Sequence, residues 1–431
     1  MATKEKLTID QKLKQKQIKK PPYVIYNVLG RIWKMLFFKK YGMHVTYKDD
    51  VRKEKRPHIM ISNHTSRMDY IFTGTPILPN TYNFVAGYNE FFRSHLKGVF
   101  SLLQIIPKKN FTPDFYTIKE VSRIIKNGGN VAIYPEGMNS ISGANQPVAI
   151  GTGKFLKHFK VPVYYSYIQG GHLTCPKYTL DEKPGRVDVT IGKMFEVEDL
   201  ERLSAEQIED ILNDKLYQDD YKWNKIHKYK YKTNGKAADG LHTLLFWCPK
   251  CGKQLTMTSE GNVIKCTSCG NGATVDETYA MTPLNSDCVI PETQTTWFNM
   301  QRDVIKKEVS DPNFSYTIDV KLGELPDYEP LKDQKTSEIV GEGKLTVDLS
   351  GMTYDGTRNG EHYTFHLNSS EVPTMGMCTD ISRFYTFVNG KFTEFYPTTP
   401  CTEKFFLSVE EVHRANGGKW QDFKFNKENK Q

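Results

Sequence analysis

The sequence predicts an α/β domain with a mixed sheet flanked by helices, then a four-cysteine module, then a β-rich C-terminal domain. Three observations carry this reading. Between residues 57 and 200, short apolar runs alternate with amphipathic stretches, as strands and helices do when taken in turn. Two Cys-x-x-Cys pairs lie between residues 246 and 280. Beyond residue 330, strand-like runs are joined by the dipeptides Asn359-Gly360 and Asn389-Gly390, which are hairpin signals.

At roughly 100–200 residues per domain, a chain of 431 residues is expected to hold several domains. The 58 Lys and Arg against 50 Asp and Glu leave a net charge of +8, modest over this length, so its placement matters more than its total. Hydrophobic residues at 38% and charged residues at 25% exclude a polytopic membrane protein, and no apolar run reaches the roughly 20 residues of a spanning helix. Of eight cysteines, four are paired and four (Cys175, Cys288, Cys378, Cys401) are scattered, which suits a reducing compartment better than a disulfide framework. The N-terminus has no apolar core or small-residue cleavage site, so an intracellular protein is expected.

Residues 1–20 carry seven Lys, two acids and little to bury, and are expected to be a basic disordered arm. Residues 21–45 read as an amphipathic helix. Asn27, Arg31 and Lys34 fall near one face, while Ile25, Leu29, Ile32, Leu36 and several aromatics fill the rest. Such a helix lies in a membrane interface, its lysines drawn to anionic head groups, and predicts peripheral attachment at a cytoplasmic membrane face. The plainer alternative packs it on the domain that follows. That α/β domain is expected over 46–232, with strands in HIMIS, YNFVAG, LLQIIP, NVAIYP, VPVYYSYI and VDVTIG. Helices are expected near 66–76, 89–103, 114–127, 150–160 and 201–216. The Cys module spans 240–282. The β-rich domain spans 295–431 and ends in a helix from Thr402 to Asn416, stopped by Gly417-Gly418. A meander followed by one helix resembles the pleckstrin-homology-like architecture.

The chemistry concentrates in HIMISNHTSRMDYIF. A strand ends at Ser62-Asn63, His64 stands in the turn, and Thr65 or Ser66 is placed to cap the next helix. On one continuous helix, His64 and Asp69 would point about 140° apart. They meet only if His64 stands before the helix, where the pattern puts it. An imidazole oriented by a carboxylate is a general base, with Asp69 fixing its tautomer. His44 and Asp49 repeat the spacing, but no strand precedes them and no capping residue follows.

Asn63-His64-Thr65-Ser66-Arg67-Met68-Asp69 resembles the NHxxxxD motif of the glycerolipid acyltransferases, the family that includes 1-acylglycerol-3-phosphate acyltransferases. NEFFRSHLKGVFSLLQIIPKK is similar to the family's second block, VAIYPEGMNS to its third, and GTGKFLKHFKVPVYYSYI to its fourth, in order over about residues 20–215. The resemblance implies transfer of an acyl group, from acyl-CoA or an acyl carrier protein, to a lysophospholipid hydroxyl. It implies His64 and Asp69 as catalytic residues. It also implies a substrate site built from Asn63, Lys108, Lys109, Glu136, Gly137, Asn139 and Ser140. Lys108 or Lys109 would meet a phosphate as a point charge, and the turn at Glu136-Gly137 would offer amides to an anion. The sequence departs from the family at Asn139, where an arginine is usual, and by a lysine for arginine in the second block. Lysophosphatidic acid remains the default acceptor, and other lysophospholipids stay open.

Cys248, Cys251, Cys266 and Cys269 give C-x2-C-x14-C-x2-C, a donor set for a structural Zn2+ ribbon. The lysines interleaved with Tyr221, Trp223, Tyr229 and Tyr231 before it suit a nucleic-acid surface or a membrane patch equally. A rival reading is therefore a zinc-ribbon binding protein for nucleic acid or a protein partner, carrying a degenerate enzyme domain. The intact His64, Asp69 and Pro-Glu-Gly weigh against it and make nucleic acid an unexpected partner.

Overall fold

The computed structural model describes residues 6–333 and 335–418. The far N-terminus and the last residues of the expected C-terminal domain lie outside them. Among the described residues the strands named here build three sheets. The first holds β1 (Met43–Tyr47), β2 (Ile59–Ser62), β3 (Tyr82–Gly87), β4 (Ile106–Lys108), β5 (Asn130–Ile133), β6 (Val163–Gln169) and β7 (Val187–Phe195) in the order β1-β7-β6-β2-β5-β3-β4. All its pairings are parallel except β6 with β7, so the sheet is mixed as expected. β2 is buried along its whole length, and the helices Phe115–Lys126 and Thr152–Phe159 follow β4 and β5. The sheet takes in β1, so the domain reaches back to Met43 rather than starting at 46.

The N-terminal residues differ from the expected disordered arm. Thr8 caps a short helix, Ile9–Gln15. Ile18 is buried, and its amide donates to Glu120 at 2.9 Å. Asn83 donates to the Lys19 carbonyl at 2.8 Å. These partners lie far off in sequence, which is why composition missed them. The helix Tyr23–Lys40 then packs one side on the domain through Tyr26, Asn27 and Gly30. Asn27, expected on a polar outer face, is buried and donates to the carbonyls of Tyr23 and Pro79. The outer side is apolar instead: Val24, Val28, Met35 and Leu36 are all more than half exposed. Among the described residues no helix is long and apolar enough to cross a membrane.

The lysine-aromatic stretch is corrected too. Tyr221, Trp223 and Tyr231 are buried, Tyr221 and Trp223 from the helix Asp220–His227. Their rings are core, not a displayed stacking surface. The ribbon follows as an antiparallel sheet of β8 (Met257–Glu260), β9 (Val263–Cys266), β10 (Gly272–Val275) and β11 (Met281–Pro283).

The C-terminal region adds the helix Gln294–Val309 and an antiparallel sheet of β12 (Ser315–Glu324), β13 (Glu338–Asp348), β14 (Gly351–Arg358), β15 (Glu361–Asn368), β16 (Gly376–Met377), β17 (Phe384–Val388) and β18 (Lys391–Pro397). The Asn359 and Asn389 turns join β14 to β15 and β17 to β18, as their dipeptides predict. The helix Thr402–Ala415 closes the region, an antiparallel meander with one final helix. Arg302 ties the two helices by bonding Glu410 at 2.7 Å and Glu411 at 2.9 Å, all three buried.

The units do not fold apart. One apolar core runs from Met138, Ile141 and Leu173 through Cys248 and Ile264 to Trp297, Phe384 and Phe405. The ribbon shares this core with residues on both sides of it in the chain, which offsets its small size.

Candidate functional site

β2 ends at Ser62, and the chain turns through residues 63–68 before the helix Asp69–Gly74 begins. His64 therefore stands outside the helix and Asp69 opens it. His64 Nδ1 lies 2.8 Å from Asp69 Oδ2. The carboxylate also accepts from the amide and hydroxyl of Thr65, at 2.6 and 2.7 Å, and from those of Ser66. Thr65 and Ser66, expected to cap the helix, are instead donors to its first carboxylate, which caps the turn itself. The side chain of Asp69 is 1% exposed and that of His64 22%. A buried carboxylate that only accepts places the shared proton on Nδ1, leaving Nε2 with a lone pair. The imidazole stacks on Tyr134 with centroids 4.5 Å apart and planes 26° apart. Sequence reasoning missed Tyr134, although it directly precedes Pro135-Glu136. His44, the repeated spacing, points to solvent from β1.

The third-block turn packs beside this pair. Glu136 Oε1 accepts from the His64 amide at 2.8 Å and from Asn145, and Oε2 accepts from the Gln146 amide at 3.0 Å. Both oxygens of this buried carboxyl are engaged by protein donors, and burial pushes its pKa up to about 8. The Ser140 amide donates to the His64 carbonyl at 2.7 Å, while its hydroxyl bonds the Ala144 carbonyl at 2.6 Å. Asn63 bonds the amide and carbonyl of Ile168 on β6 with its amide group. Asn63, Glu136 and Ser140, expected to contact substrate, are bonded within the protein to the turn and to β6. The Gly137 carbonyl accepts from Asn110 at 2.8 Å.

The two second-block lysines part company. Lys108 Nζ bonds the Lys109 carbonyl at 3.2 Å, and burial lowers its pKa. Lys109 reaches the Gly390 carbonyl of the C-terminal sheet at 2.5 Å and stands over the rings of Tyr88 and Phe387. Asn139 accepts from Lys177 Nζ at 2.6 Å. Lys177 is buried and lies outside every block, so no local pattern announced it.

The four cysteines also come together. Their sulfurs all lie within 4.8 Å of one another, with Cys248 to Cys269 at 3.7 Å and Cys251 to Cys266 at 3.9 Å. Sulfurs about 2.3 Å from one tetrahedral metal stand at about this separation. The knuckles match: Gly252 donates to the Cys248 carbonyl and Gly270 to that of Cys266, both glycines at positive φ. The donor set fits a metal.

Residues 43–168 match the family model of the acyltransferases. No curated protein matches the chain. Among solved structures, the chain is similar to the 1-acyl-sn-glycerophosphate acyltransferase PlsC from Thermotoga maritima, with 20% identity over 45% of this chain and 76% of that one and a TM-score of 0.36. The matched span begins with β1, ends in β6 and contains both His64 and the Glu136 turn that orders it. This part of the chain is an acyltransferase-family domain.

Proposed function

We propose that the protein transfers a fatty acyl group from an acyl thioester, acyl-CoA or acyl carrier protein, to the free hydroxyl of a lysophospholipid. The acceptor is 1-acylglycerol-3-phosphate and the product phosphatidic acid. The His64–Asp69 pair carries this reading. His64 Nε2 takes the hydroxyl proton as the oxygen attacks the thioester carbonyl, and Asp69 holds Nδ1–H and stabilises the imidazolium. The tetrahedral intermediate then collapses, the C–S bond breaks, and the imidazolium returns its proton to the thiolate. Direct transfer is supported by the two nearby serines, since the Ser66 hydroxyl is held by Asp69 and that of Ser140 by Ala144. Cys248, Cys251, Cys266 and Cys269 would hold Zn2+ with no open position, so the metal would be structural.

The exposed apolar side of the helix Tyr23–Lys40, with Arg31, Lys34, Lys39 and Lys40 beside it, supports peripheral attachment to an anionic cytoplasmic membrane face. The test is full-length protein incubated with a long-chain acyl thioester and a panel of lysolipids. Phosphatidic acid should form from 1-acylglycerol-3-phosphate and be lost in His64→Ala. Thioester hydrolysis without transfer to any lysolipid would reject the reading.

A further inference from the structure

Tyr134 is set against the base by the sheet itself. β2 and β5 are parallel neighbours with Ile61 opposite Ile133, so both chains leave the sheet at the same edge. Tyr134 is the first residue past β5, and His64 the second past β2. Their rings stack with centroids 4.5 Å apart and planes 26° apart. Phe84, which lies on β3 opposite Ala132, extends the column behind Tyr134 at 6.5 Å and 28°. Residues 134, 136 and 140 thus hold His64 by its ring, its amide and its carbonyl.

One hydrogen bond does not fully orient a base. With Nδ1 held 2.8 Å from Asp69 Oδ2, the imidazole is still free to tip about that contact, and tipping swings the lone pair of Nε2. A ring stacked on its face opposes this, since tipping opens the stack. The face of an aromatic ring is also the negative side of its quadrupole. A cation within about 6 Å of such a face is attracted to it, more strongly where water is excluded. The neutral imidazole gains less from that quadrupole than the imidazolium does. The stack therefore favours the state formed as the acceptor hydroxyl gives up its proton, and interactions that strengthen on the way to the transition state raise kcat. The phenol itself neither gives nor takes a proton, because burial pushes its pKa well above the ordinary range. What Tyr134 presents to His64 is its face.

We propose that Tyr134 is a positioning residue for the base, fixing the plane of the His64 imidazole and stabilising the imidazolium through the face of its ring. This rests on the acyl-transfer reading of His64. Asp69 sets which nitrogen carries the proton, and Tyr134 sets where the other one points.

The experiment uses the full chain with Tyr134→Leu, Tyr134→Phe, and trifluorophenylalanine in place of Tyr134. Leucine keeps an apolar cover without a ring. Trifluorophenylalanine keeps the shape of the ring but drains its face of charge, and it decides the matter should the leucine variant fail to fold. The titratable groups bonded to this turn are Asp69 from the helix Asp69–Gly74, Glu136 from the turn after β5, and His172 from the helix Gly171–Thr174. Glu136, pushed up to about 8, would blend into a rate profile. The ring is therefore followed directly, by pH titration of the His64 Cε1–H resonance, assigned from its loss in His64→Ala. Its midpoint should fall by about 0.5–1.5 pH units with leucine and with trifluorophenylalanine, and Tyr134→Phe should restore it. The same two replacements should lower kcat for 1-acylglycerol-3-phosphate about 5- to 30-fold with KM within about twofold, again rescued by phenylalanine. An unmoved midpoint with leucine and with trifluorophenylalanine, equal losses in Tyr134→Phe, or a loss confined to KM would overturn the proposal. Failure of the parent reading looks different: wild type would transfer to no lysolipid while the midpoint still fell in Tyr134→Leu.

Discussion

The main-chain amide of His64 donates to Glu136 Oε1 at 2.8 Å, so the turn that presents the imidazole hangs from a carboxyl on the next strand's turn. Because this carboxyl is fully enclosed and its pKa is raised to about 8, its protonation contributes to stability.

The sign follows from linkage. The folded state holds the proton more tightly than the unfolded chain, whose Glu titrates near 4.5. The contribution is whole below that pH and is lost as pH rises through about 8. Glu136→Gln removes the titration but leaves one donor facing an amide N–H, at a cost of about 1–3 kcal/mol. Wild type should therefore unfold at a higher temperature than the variant at pH 6, with the gap narrowing towards pH 9. A gap that widens with pH would show an ionised Glu136 throughout.

Asp69→Asn should cost about 10⁴-fold in turnover, the scale of the equivalent change in a serine protease triad, because the amide can present N–H to Nδ1 and reverse the tautomer. The change also sets an amide N–H against the donors of Thr65 and Ser66, so the thermal midpoint should drop as well. His64→Ala should abolish transfer with a smaller structural effect, since that side chain is partly exposed. His44→Ala should retain activity. Steady-state kinetics with melting curves for all three variants separate these outcomes.

The His64–Asp69 geometry was legible because strand, turn and helix start are all local, and five residues of spacing can be tested against helical angles. The ribbon and both Asn-Gly hairpins were legible for the same reason. The contacts of Lys177 were not, because Asn139 and the Asp380 amide that bonds its carbonyl lie on separate elements brought together only by the fold. The N-terminal residues and the Tyr221–Tyr231 stretch were misread in the same way. Basic composition suggests solvation, but Ile18, Tyr221, Trp223 and Tyr231 find burial against distant residues.

The ribbon should contain one Zn2+ per chain, lost in Cys266→Ser. Zinc binding to such a site is worth about 10–16 kcal/mol. A free-standing ribbon would melt alone on chelation. Here Cys248 and Ile264 share a core with Met138, Ile141 and Leu173 of the acyltransferase side, so metal loss should lower both the main thermal midpoint and transfer activity. Metal analysis, calorimetry and an assay on chelated protein test this. Full activity after complete zinc removal would confine the metal to the ribbon itself.

Membrane attachment should depend on the outer side of Tyr23–Lys40 rather than on charge alone. Val24 is 70% exposed and Met35 72%, so acidic substitutions there remove nothing from the core, whereas changes at Tyr26 or Gly30 would disturb packing. An interfacial helix binds through apolar area plus attraction of its cations to anionic lipid, and the second part is screened by salt. The double variant Val24→Asp, Met35→Glu should keep the wild-type melting temperature yet fail to sediment with vesicles containing anionic lipid. Arg31→Gln with Lys34→Gln should weaken sedimentation at low salt and converge with wild type at high salt, because only the screened part is removed. Sedimentation of the Val24, Met35 variant at the wild-type level would move the membrane contact to another surface.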